Sequence, residues 1–245
     1  MLVCISQAHN ANTVIGHDGM TDAVRFMESV SKYCDALIFF DDGSTDGTRE
    51  VVGSFGDRIE IKIPANTENR RELQWMNRAR CLEHARRLGA DWVLALKMDE
   101  TLEPMAEDGG LLAAIDSTEA DALAFVRKHL WLSDRYVRMD GDWSSDLPVR
   151  AFKLNSELRY ATRPGRSSVV PENLPDNTAL CRLSILHHGL STEEGLARHK
   201  ENYELMAPEK NLELAEPLQL SCTPLRLIRD GEFMGPNLTE MQFTA

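Results

Sequence analysis

Residues 36–48 read ALIFFDDGSTDGT, an apolar run that breaks abruptly into acidic and turn-forming residues. The run over residues 36–40 contains no polar residue, which is typical of a strand buried on both faces of a parallel sheet. Asp41 and Asp42 follow directly, and the Gly, Ser and Thr residues after them are those that turns prefer. The pattern predicts a strand whose carboxyl end opens onto a polar loop.

Apolar runs alternate with amphipathic segments through the first half of the chain. Strands are predicted at residues 2–6, 36–40, 58–63 and 92–98, and helices at residues 21–32 and 70–88. Gly89 follows the second helix, where a glycine commonly ends a helix. Strands that alternate with helices predict an α/β fold with a mostly parallel central sheet flanked by helices.

The second half of the chain is less regular. Strands are predicted at residues 122–127, 149–154 and 183–186, with a polar and aromatic stretch between residues 131 and 148 and a loop over residues 163–176. Residues 191–194 read STEE, the pattern of a capping box, which predicts a helix that runs through Met206. Beyond residue 207 the pattern weakens into a tail.

Composition and charge restrict the class of protein. The 245 residues are 42% hydrophobic, which is enough for the core of one full α/β domain. A net charge of −12 argues against binding to nucleic acid or to anionic lipid, since both need basic surface. The five cysteines are scattered without a CxxC pair, and neither a signal peptide nor a transmembrane run is found. We therefore expect a cytoplasmic protein.

Three polar pairs follow apolar runs directly, and they carry the predicted chemistry. They are Asp41-Asp42, Asp99-Glu100 and His187-His188. In an open α/β sheet, ligands bind outside the carboxyl ends of the strands, so we expect all three pairs at one edge. Carboxylates beside a histidine are suitable ligands for Mg²⁺ or Mn²⁺, which can bridge a diphosphate. The sequence therefore predicts a site for a nucleotide diphosphate.

Residues 39–48, FFDDGSTDGT, resemble the strand-end signature of the family 2 glycosyltransferases, which have the GT-A fold. Residues 77–100 are similar to the second signature of this family, in which a helix leads to a strand that ends in Asp-x-Asp. The resemblance implies a GT-A-like domain over residues 1–207, with a nucleotide-binding half (1–105) and an acceptor-side half (106–207). Residues 208–245 would form a C-terminal tail.

The resemblance also implies the reaction. The protein would transfer a sugar, with inversion and with a divalent metal (Mn²⁺ or Mg²⁺), from a nucleotide-sugar donor to an acceptor hydroxyl. A UDP-sugar is the first expectation for the donor. The acceptor would be a saccharide, a lipid-linked molecule or a protein.

Roles for individual residues follow from the resemblance. Asp41 and Asp42 would contact the base and the ribose of the donor, and Arg78 would approach the nucleotide or its phosphates. Asp99 matches the last Asp of Asp-x-Asp and would hold the metal. His187 matches a histidine that lies close to the metal and the diphosphate in part of the family.

The chain departs from the family pattern at two places. Lys97 stands where the first Asp of the metal motif is usual; it could neutralise phosphate charge and reduce metal dependence, or it could mark a degenerate site. The His-Glu pair that many relatives carry is absent from residues 163–167. The catalytic base therefore cannot be transferred from the family.

The type of reaction determines which kind of side chain can act as the base. An inverting transfer needs a carboxylate that takes the proton of the acceptor hydroxyl. Asp142, Asp146 and Glu172 lie in the polar middle region that would border an acceptor. We favour Asp146 because it directly precedes the predicted strand, and Glu172 is the further candidate that we retain.

Two other functions remain open. Lys97 and the missing His-Glu pair are compatible with a catalytically silent protein that binds a nucleotide-sugar. A nucleotidyltransferase is less favoured, because residues 7–12 do not form the basic, Gly-rich phosphate loop that such an enzyme would carry after its first strand.

Overall fold

The computed structural model describes residues 1–56, 59–62, 74–139, 141–160, 168–206, 225–227 and 243–244. Residues 163–167 of the predicted loop and most of the predicted tail lie outside the described residues, as do the first residues of the helix predicted at 70–88.

A mixed sheet forms the centre of the described structure. Its strands are β1 (Leu2–Ala8), β2 (Ala36–Asp41), β3 (Ile59–Lys62), β4 (Trp92–Ala95), β5 (Glu100–Leu102), β6 (Ala122–His129), β8 (Val149–Lys153), β9 (Thr178–His187) and β11 (Phe243–Thr244). The order is β11-β9-β6-β8-β4-β1-β2-β3, with β5 paired to β9. Only β8 and β5 pair antiparallel to their neighbours among these strands, so the prediction of a mostly parallel sheet is confirmed.

A separate two-stranded ribbon joins β7 (Tyr136–Arg138) to β10 (Leu225–Leu227). Together with the pairing of β11 against β9, it brings two short segments of the predicted tail into contact with the rest of the fold. The boundary at residue 207 stays a prediction.

Helices cover both faces of the sheet. They are α1 (Asp22–Tyr33), α2 (Thr48–Gly53), α3 (Gln74–Arg87), α4 (Gly110–Ser117) and α5 (Glu193–Met206). Alternate residues of the central strands pack with α1 and α4 in one apolar cluster and with α3 in a second. Because both faces of β1, β2 and β4 are buried, their sequences are mostly apolar, which makes these strands predictable from the sequence.

Glycine ends α3 as expected. Gly89 has a φ of 74°, a left-handed conformation that glycine adopts without strain, and its N–H donates to the carbonyl of Arg86. Among the described helices, none has the length and apolarity that a membrane crossing requires. The cytoplasmic location stays a prediction.

The strand predicted at residues 92–98 is shorter than expected. β4 ends at Ala95, and the chain then turns, with the Glu100 N–H donating to the Lys97 carbonyl at 3.0 Å. The Glu100 side chain accepts from the Lys97 N–H at 3.1 Å and so closes the same turn. The apolar run continues beyond the strand because Leu96 and Met98 are buried within the turn.

The capping box predicted at Ser191 and Glu194 is wrong by one residue. The Thr192 hydroxyl accepts from the Gly195 N–H at 3.0 Å, and the Thr192 carbonyl accepts the first helical hydrogen bond from Leu196. Thr192 is therefore the N-cap of α5, and the third helical position holds a glycine rather than the glutamate that a capping box needs.

Candidate active site

The carboxyl ends of the central strands meet at one edge of the sheet. β1 lies between β2 and β4 in parallel register, with Ala8 opposite Asp41 and Ile5 opposite Ala95. The turn that carries Asp99 follows β4 directly. Asp41 and Asp99 therefore lie on the same edge, as the sequence predicts.

A shallow cleft opens over the carboxyl end of β1. Ser6 and Gln7 line its floor from β1, Arg78 lines it from α3, and Lys97 lines it from the turn after β4. Val169 closes it from the loop after residue 167. Two predicted nucleotide-binding residues, Arg78 and Lys97, therefore share one cleft.

The two aspartates at the carboxyl end of β2 differ in what they bind. The Asp41 carboxylate is buried and accepts the backbone N–H of Ser44, so it shapes its own turn. The Asp42 carboxylate accepts from Gln7 Nε2 at 2.5 Å and from Asn77 Nδ2 at 3.0 Å. Asp42 therefore ties β1 and α3 together beneath the cleft.

These contacts orient two amide side chains. A carboxylate only accepts hydrogen bonds, so Gln7 and Asn77 must turn their NH₂ groups toward Asp42 and their carbonyl oxygens away from it. Within the described part of the chain, neither carbonyl oxygen has a hydrogen-bond partner although both are buried. The same holds for Ser6 Oγ and Arg78 Nε. Each such unpaired atom destabilises the folded protein by about 1–3 kcal/mol unless a ligand or water pairs with it. The four atoms together therefore indicate a site for a polar ligand.

Two cations face this ligand site. Burial lowers the pKa of Arg78 and of Lys97, although Asp99 and Glu100 partly oppose the shift at Lys97. Neither side chain forms an ion pair closer than 4 Å with another described residue. Two charged groups held in this way are suited to a diphosphate.

A second group of side chains forms a candidate metal site. Asp99 Oδ2 lies 3.3 Å from His187 Nε2, at the end of β9, and 3.3 Å from His199 Nε2, on α5. The three possible ligand atoms lie within 4.8 Å of one another. Asp99 Oδ1 is buried without a partner among the described residues. One carboxylate and two imidazoles form a donor set that fits a divalent transition metal.

The charge states at this site suit metal binding. Burial lowers the pKa of His187 to about 3, so its ring is neutral near pH 7. Burial by itself raises the pKa of Asp99, but His187, His199 and Lys97 outweigh it, and the pKa falls well below its usual value. An ionised carboxylate and a neutral imidazole are the forms that bind a metal.

The two adjacent histidines have different roles. His187 faces Asp99, whereas His188 Nε2 lies 2.9 Å from the Thr101 hydroxyl and its backbone N–H donates to the Asp99 carbonyl. His199 was missed by sequence analysis. The one feature of the sequence that points to His199 is its position on the helix that follows the His187-His188 pair.

The candidate base Asp146 belongs to a network that reaches the metal site. Asp146 Oδ2 accepts from the Arg127 guanidinium and lies 2.9 Å from His129 Nε2. His129 Nδ1 in turn lies 3.0 Å from His187 Nδ1. Burial raises the pKa of Asp146, but His129 and Arg127 lower it to about 2. Asp146 is therefore ionised and holds a proton weakly.

The other candidate base, Glu172, lies on an exposed loop. Its backbone N–H donates to the Arg159 carbonyl. The structure thus brings Asp99, His187 and, through His129, Asp146 into one network.

Glu100 supports this network from beneath the sheet edge. Its carboxylate is fully buried and accepts from Arg150 Nε and NH2 at 3.0 and 2.8 Å and from Arg127 NH1 at 2.8 Å. Burial by itself raises the pKa of Glu100, but these guanidinium groups and Lys97 lower it overall. Glu100 thereby places Arg127 beside Asp146.

Comparison with known proteins gives only structural likenesses. No protein-family model and no curated protein sequence matches the chain. TarS 1–349 of S. aureus aligns at 14% identity over 85% of this chain and 64% of that chain, with a TM-score of 0.49. A mannosyltransferase from Pyrobaculum calidifontis, in complex with GDP-Man and Mn²⁺, aligns at 14% identity over 86% and 64%, with a TM-score of 0.45.

Glucosyl-3-phosphoglycerate synthase from Mycobacterium tuberculosis, in complex with Mn²⁺ and UDP-glucose, aligns at 20% identity over 53% of this chain and 43% of that chain, with a TM-score of 0.34. This chain spans less than two thirds of the length of each of the three proteins. Because each of these three TM-scores is below 0.5, the function has to be argued from the site itself.

Gly189 allows the close approach of the candidate metal ligands. A Cβ atom there would lie 2.4 Å from His199 Nε2 and 2.9 Å from Asp99 Oδ2. We expect Gly189→Ala to push these atoms apart and to weaken Mn²⁺ binding by about 10–100-fold, the range seen when the surroundings of metal ligands are altered. Isothermal titration calorimetry measures the affinity.

Ala197→Ser is the matched control, since it adds one atom at an exposed position of α5. It should leave the affinity unchanged. Equal Mn²⁺ affinity in the two variants, with both folded by circular dichroism, would show that the three residues do not bind the metal.

Proposed function

We propose that the protein is a glycosyltransferase of the GT-A type that transfers a sugar from a nucleotide-diphosphate sugar to an acceptor hydroxyl, assisted by a divalent metal. The observation that carries this proposal is the cleft over β1. Its buried, unpaired polar atoms and its two cations adjoin the Asp99–His187–His199 cluster, since Lys97 lines the cleft and interacts electrostatically with Asp99.

The cleft offers one region for a nucleoside and one for phosphates. The carbonyl oxygens of Gln7 and Asn77 and the hydroxyl of Ser6 can accept hydrogen bonds from the N–H and O–H groups of a nucleoside. Asp42 reaches the donor through these two amides, and Asp41 through the turn that it shapes. Arg78 and Lys97 neutralise the diphosphate, which is where a departing nucleotide gathers negative charge.

The metal site adjoins the phosphate region. Asp99, His187 and His199 hold the ion, and two imidazoles in the donor set favour Mn²⁺ over Mg²⁺, which prefers oxygen ligands. A bound divalent ion supplies charge neutralisation to the leaving diphosphate. Lys97 occupies the place of a carboxylate and adds positive charge of its own.

Asp146 and Glu172 stay predictions for the catalytic base. Asp146 uses Oδ2 for its contacts, and Oδ1 has no hydrogen-bond partner among the described residues, in a side chain that is 26% exposed. Its pKa of about 2 makes it a weak proton acceptor unless the bound acceptor raises that value. This weakness favours a second candidate function, a silent protein that binds a nucleotide-sugar without transfer.

Nucleotide release separates the two functions. We expect the protein, incubated with UDP- or GDP-sugars and Mn²⁺, to release the nucleoside diphosphate and to be stabilised against heat by the same ligands. A coupled assay for the diphosphate measures the release. Thermal stabilisation without release of the diphosphate would favour the silent protein that binds a nucleotide-sugar. The absence of both effects would refute a nucleotide-sugar site.

Arg78 provides a test of the cleft. We expect Arg78→Met to weaken binding of the nucleoside diphosphate by about 10–100-fold, because a hydrogen bond to a charged group is worth roughly 1.5–3 kcal/mol. Arg80→Met, at an exposed position of the same helix, is the matched control and should bind as the wild type does. Titration calorimetry compares them, and equal affinities would exclude Arg78 from the site.

Asp146→Asn tests the base. The amide cannot take a proton, so turnover should fall by about 10²–10⁴-fold if Asp146 is the base. Asp121→Asn, on a half-buried carboxylate that precedes β6 and pairs with Lys153, away from the site, should leave turnover unchanged. Near-normal turnover of Asp146→Asn would show that another group, with Glu172 the next to examine, takes the proton.

A further inference from the structure

Arg198 joins the helix of the candidate metal site to the loop that follows β1. Its guanidinium donates to the Asn10 carbonyl at 3.4 Å and to Asp22 Oδ2 at 3.0 Å. The next residue, His199, places its Nε2 3.3 Å from Asp99 Oδ2. Successive residues on an α-helix point about 100° apart, so these two side chains of α5 contact different parts of the fold. Arg198 therefore anchors α5 directly beside its metal ligand.

Asn10 connects this anchor to the turn after β2 (residues 42–47). Its backbone N–H donates to Ser44 Oγ and its Oδ1 accepts from the Thr45 N–H, both at 2.9 Å. Its φ of 53° lies in the left-handed region, which asparagine tolerates better than most residues. The Ser44 N–H in turn donates to the Asp41 carboxylate. Asn10 thus contacts α5 through its carbonyl and the turn through two other groups.

Two further contacts place the start of α5. His17 Nε2 lies 2.9 Å from the Ser191 carbonyl oxygen, so the loop after β1 also reaches the residue before the N-cap. A Cβ atom at Gly195 would lie 2.7 Å from the Gly189 carbonyl oxygen, so the first turn of α5 packs directly on the backbone that follows β9. Both contacts lie at the amino end of the helix, whereas Arg198 acts further along it, next to the metal ligand.

The buried Asp22 carboxylate does not depend on Arg198 alone. Its Oδ1 accepts from Arg25 NH1 at 3.1 Å, and Arg25 also donates to the Asp18 carboxylate at 2.7 Å. Without Arg198, Asp22 therefore keeps a charged partner and is not left as an uncompensated buried charge. The Arg198 side chain is itself 29% exposed. We therefore expect its loss to displace α5 rather than to unfold the domain.

We propose that Arg198 is a positioning residue that couples the candidate metal site to the turn after β2. A metal ion bound by His199 holds α5 in place, α5 holds Arg198 against Asn10, and Asn10 holds the turn through Ser44 and Thr45. The bound metal then orders the turn before the nucleotide arrives. This inference deepens the proposed function, on which it rests for the role of the turn in binding a nucleotide.

Three substitutions test the coupling. Arg198→Met removes both contacts and keeps an unbranched side chain. Arg198→Lys restores a charged donor and is the conservative variant that should rescue the loss. Arg182→Met removes the same kind of charge at an exposed position of β9, the strand that carries His187, and is the matched control.

Calorimetric titration with Mn²⁺, in the absence of nucleotide, measures how well His199 is positioned. We expect Arg198→Met to bind Mn²⁺ about 10–100-fold more weakly than the wild type, the range seen when groups that orient metal ligands are removed. Arg198→Lys should recover most of this loss. Arg182→Met should bind Mn²⁺ as the wild type does.

Hydrogen exchange of the full-length protein, followed by mass spectrometry, measures the coupling itself. In the wild type, saturating Mn²⁺ should slow exchange in the segments that contain the Asn10 and Thr45 N–H groups by at least about fivefold, the lower end of typical couplings between sites. In Arg198→Met, saturating Mn²⁺ should leave these segments unchanged but still slow exchange at residues 187–189, beside the metal. A variant that was merely less stable would exchange faster in every segment.

Equal Mn²⁺ affinity in Arg198→Met and the wild type would overturn the proposal, as would equal protection of the turn by Mn²⁺ in the two proteins. If Arg198→Met does not fold, Arg198→Gln takes its place, because it stays polar but is too short to reach both partners; the same results are expected. The expected affinities and exchange rates in a protein that binds no nucleotide would refute the proposed function alone. Nucleotide release by a protein in which Mn²⁺ protects the turn without Arg198 would refute this inference alone.

Discussion

Glu100 places a fully buried carboxylate at the carboxyl edge of the sheet, and the rest of the site is arranged around the need to compensate its charge. Arg150 of β8 and Arg127 of β6 supply the compensation, and the backbone of Lys97 adds a hydrogen bond. Removing one partner of such a buried pair costs about 3–5 kcal/mol, because the remaining charge has no water to solvate it. The contacts therefore hold three strands and a turn in a single geometry.

That geometry has consequences on both sides of Glu100. The pairing of β5 with β9 sets Glu100 opposite His187, which brings Asp99, the preceding residue, within reach of the two imidazoles. On the other side, Arg127 contacts Glu100 and Asp146 at once, so the buried ion pair also orders the carboxylate that contacts His129. The structural network thus reaches the candidate metal site through His129, which contacts both Asp146 and His187.

The cleft over β1 differs from the Glu100 network, because several of its buried polar atoms have no partner among the described residues. Beneath it Asp42 satisfies the amide groups of Gln7 and Asn77, but their carbonyl oxygens stay unpaired among the described residues. A fold optimised for stability alone would pair or remove such atoms, since unpaired buried polar groups are costly. Their concentration beside Arg78 and Lys97 is consistent with a surface shaped for a ligand rather than for folding.

The sequence by itself determined the layered α/β fold, because the central strands β1, β2 and β4, buried on both faces, are mostly apolar and helices lie between them. It also determined that Asp41, Asp99 and His187 meet at one edge, because they follow strands of a largely parallel sheet. Only the tertiary structure brought His199, 100 residues from Asp99, to that carboxylate and set His129 against His187. These contacts depend on strand register and helix docking, which arise from packing across the whole domain and leave no local pattern along the chain.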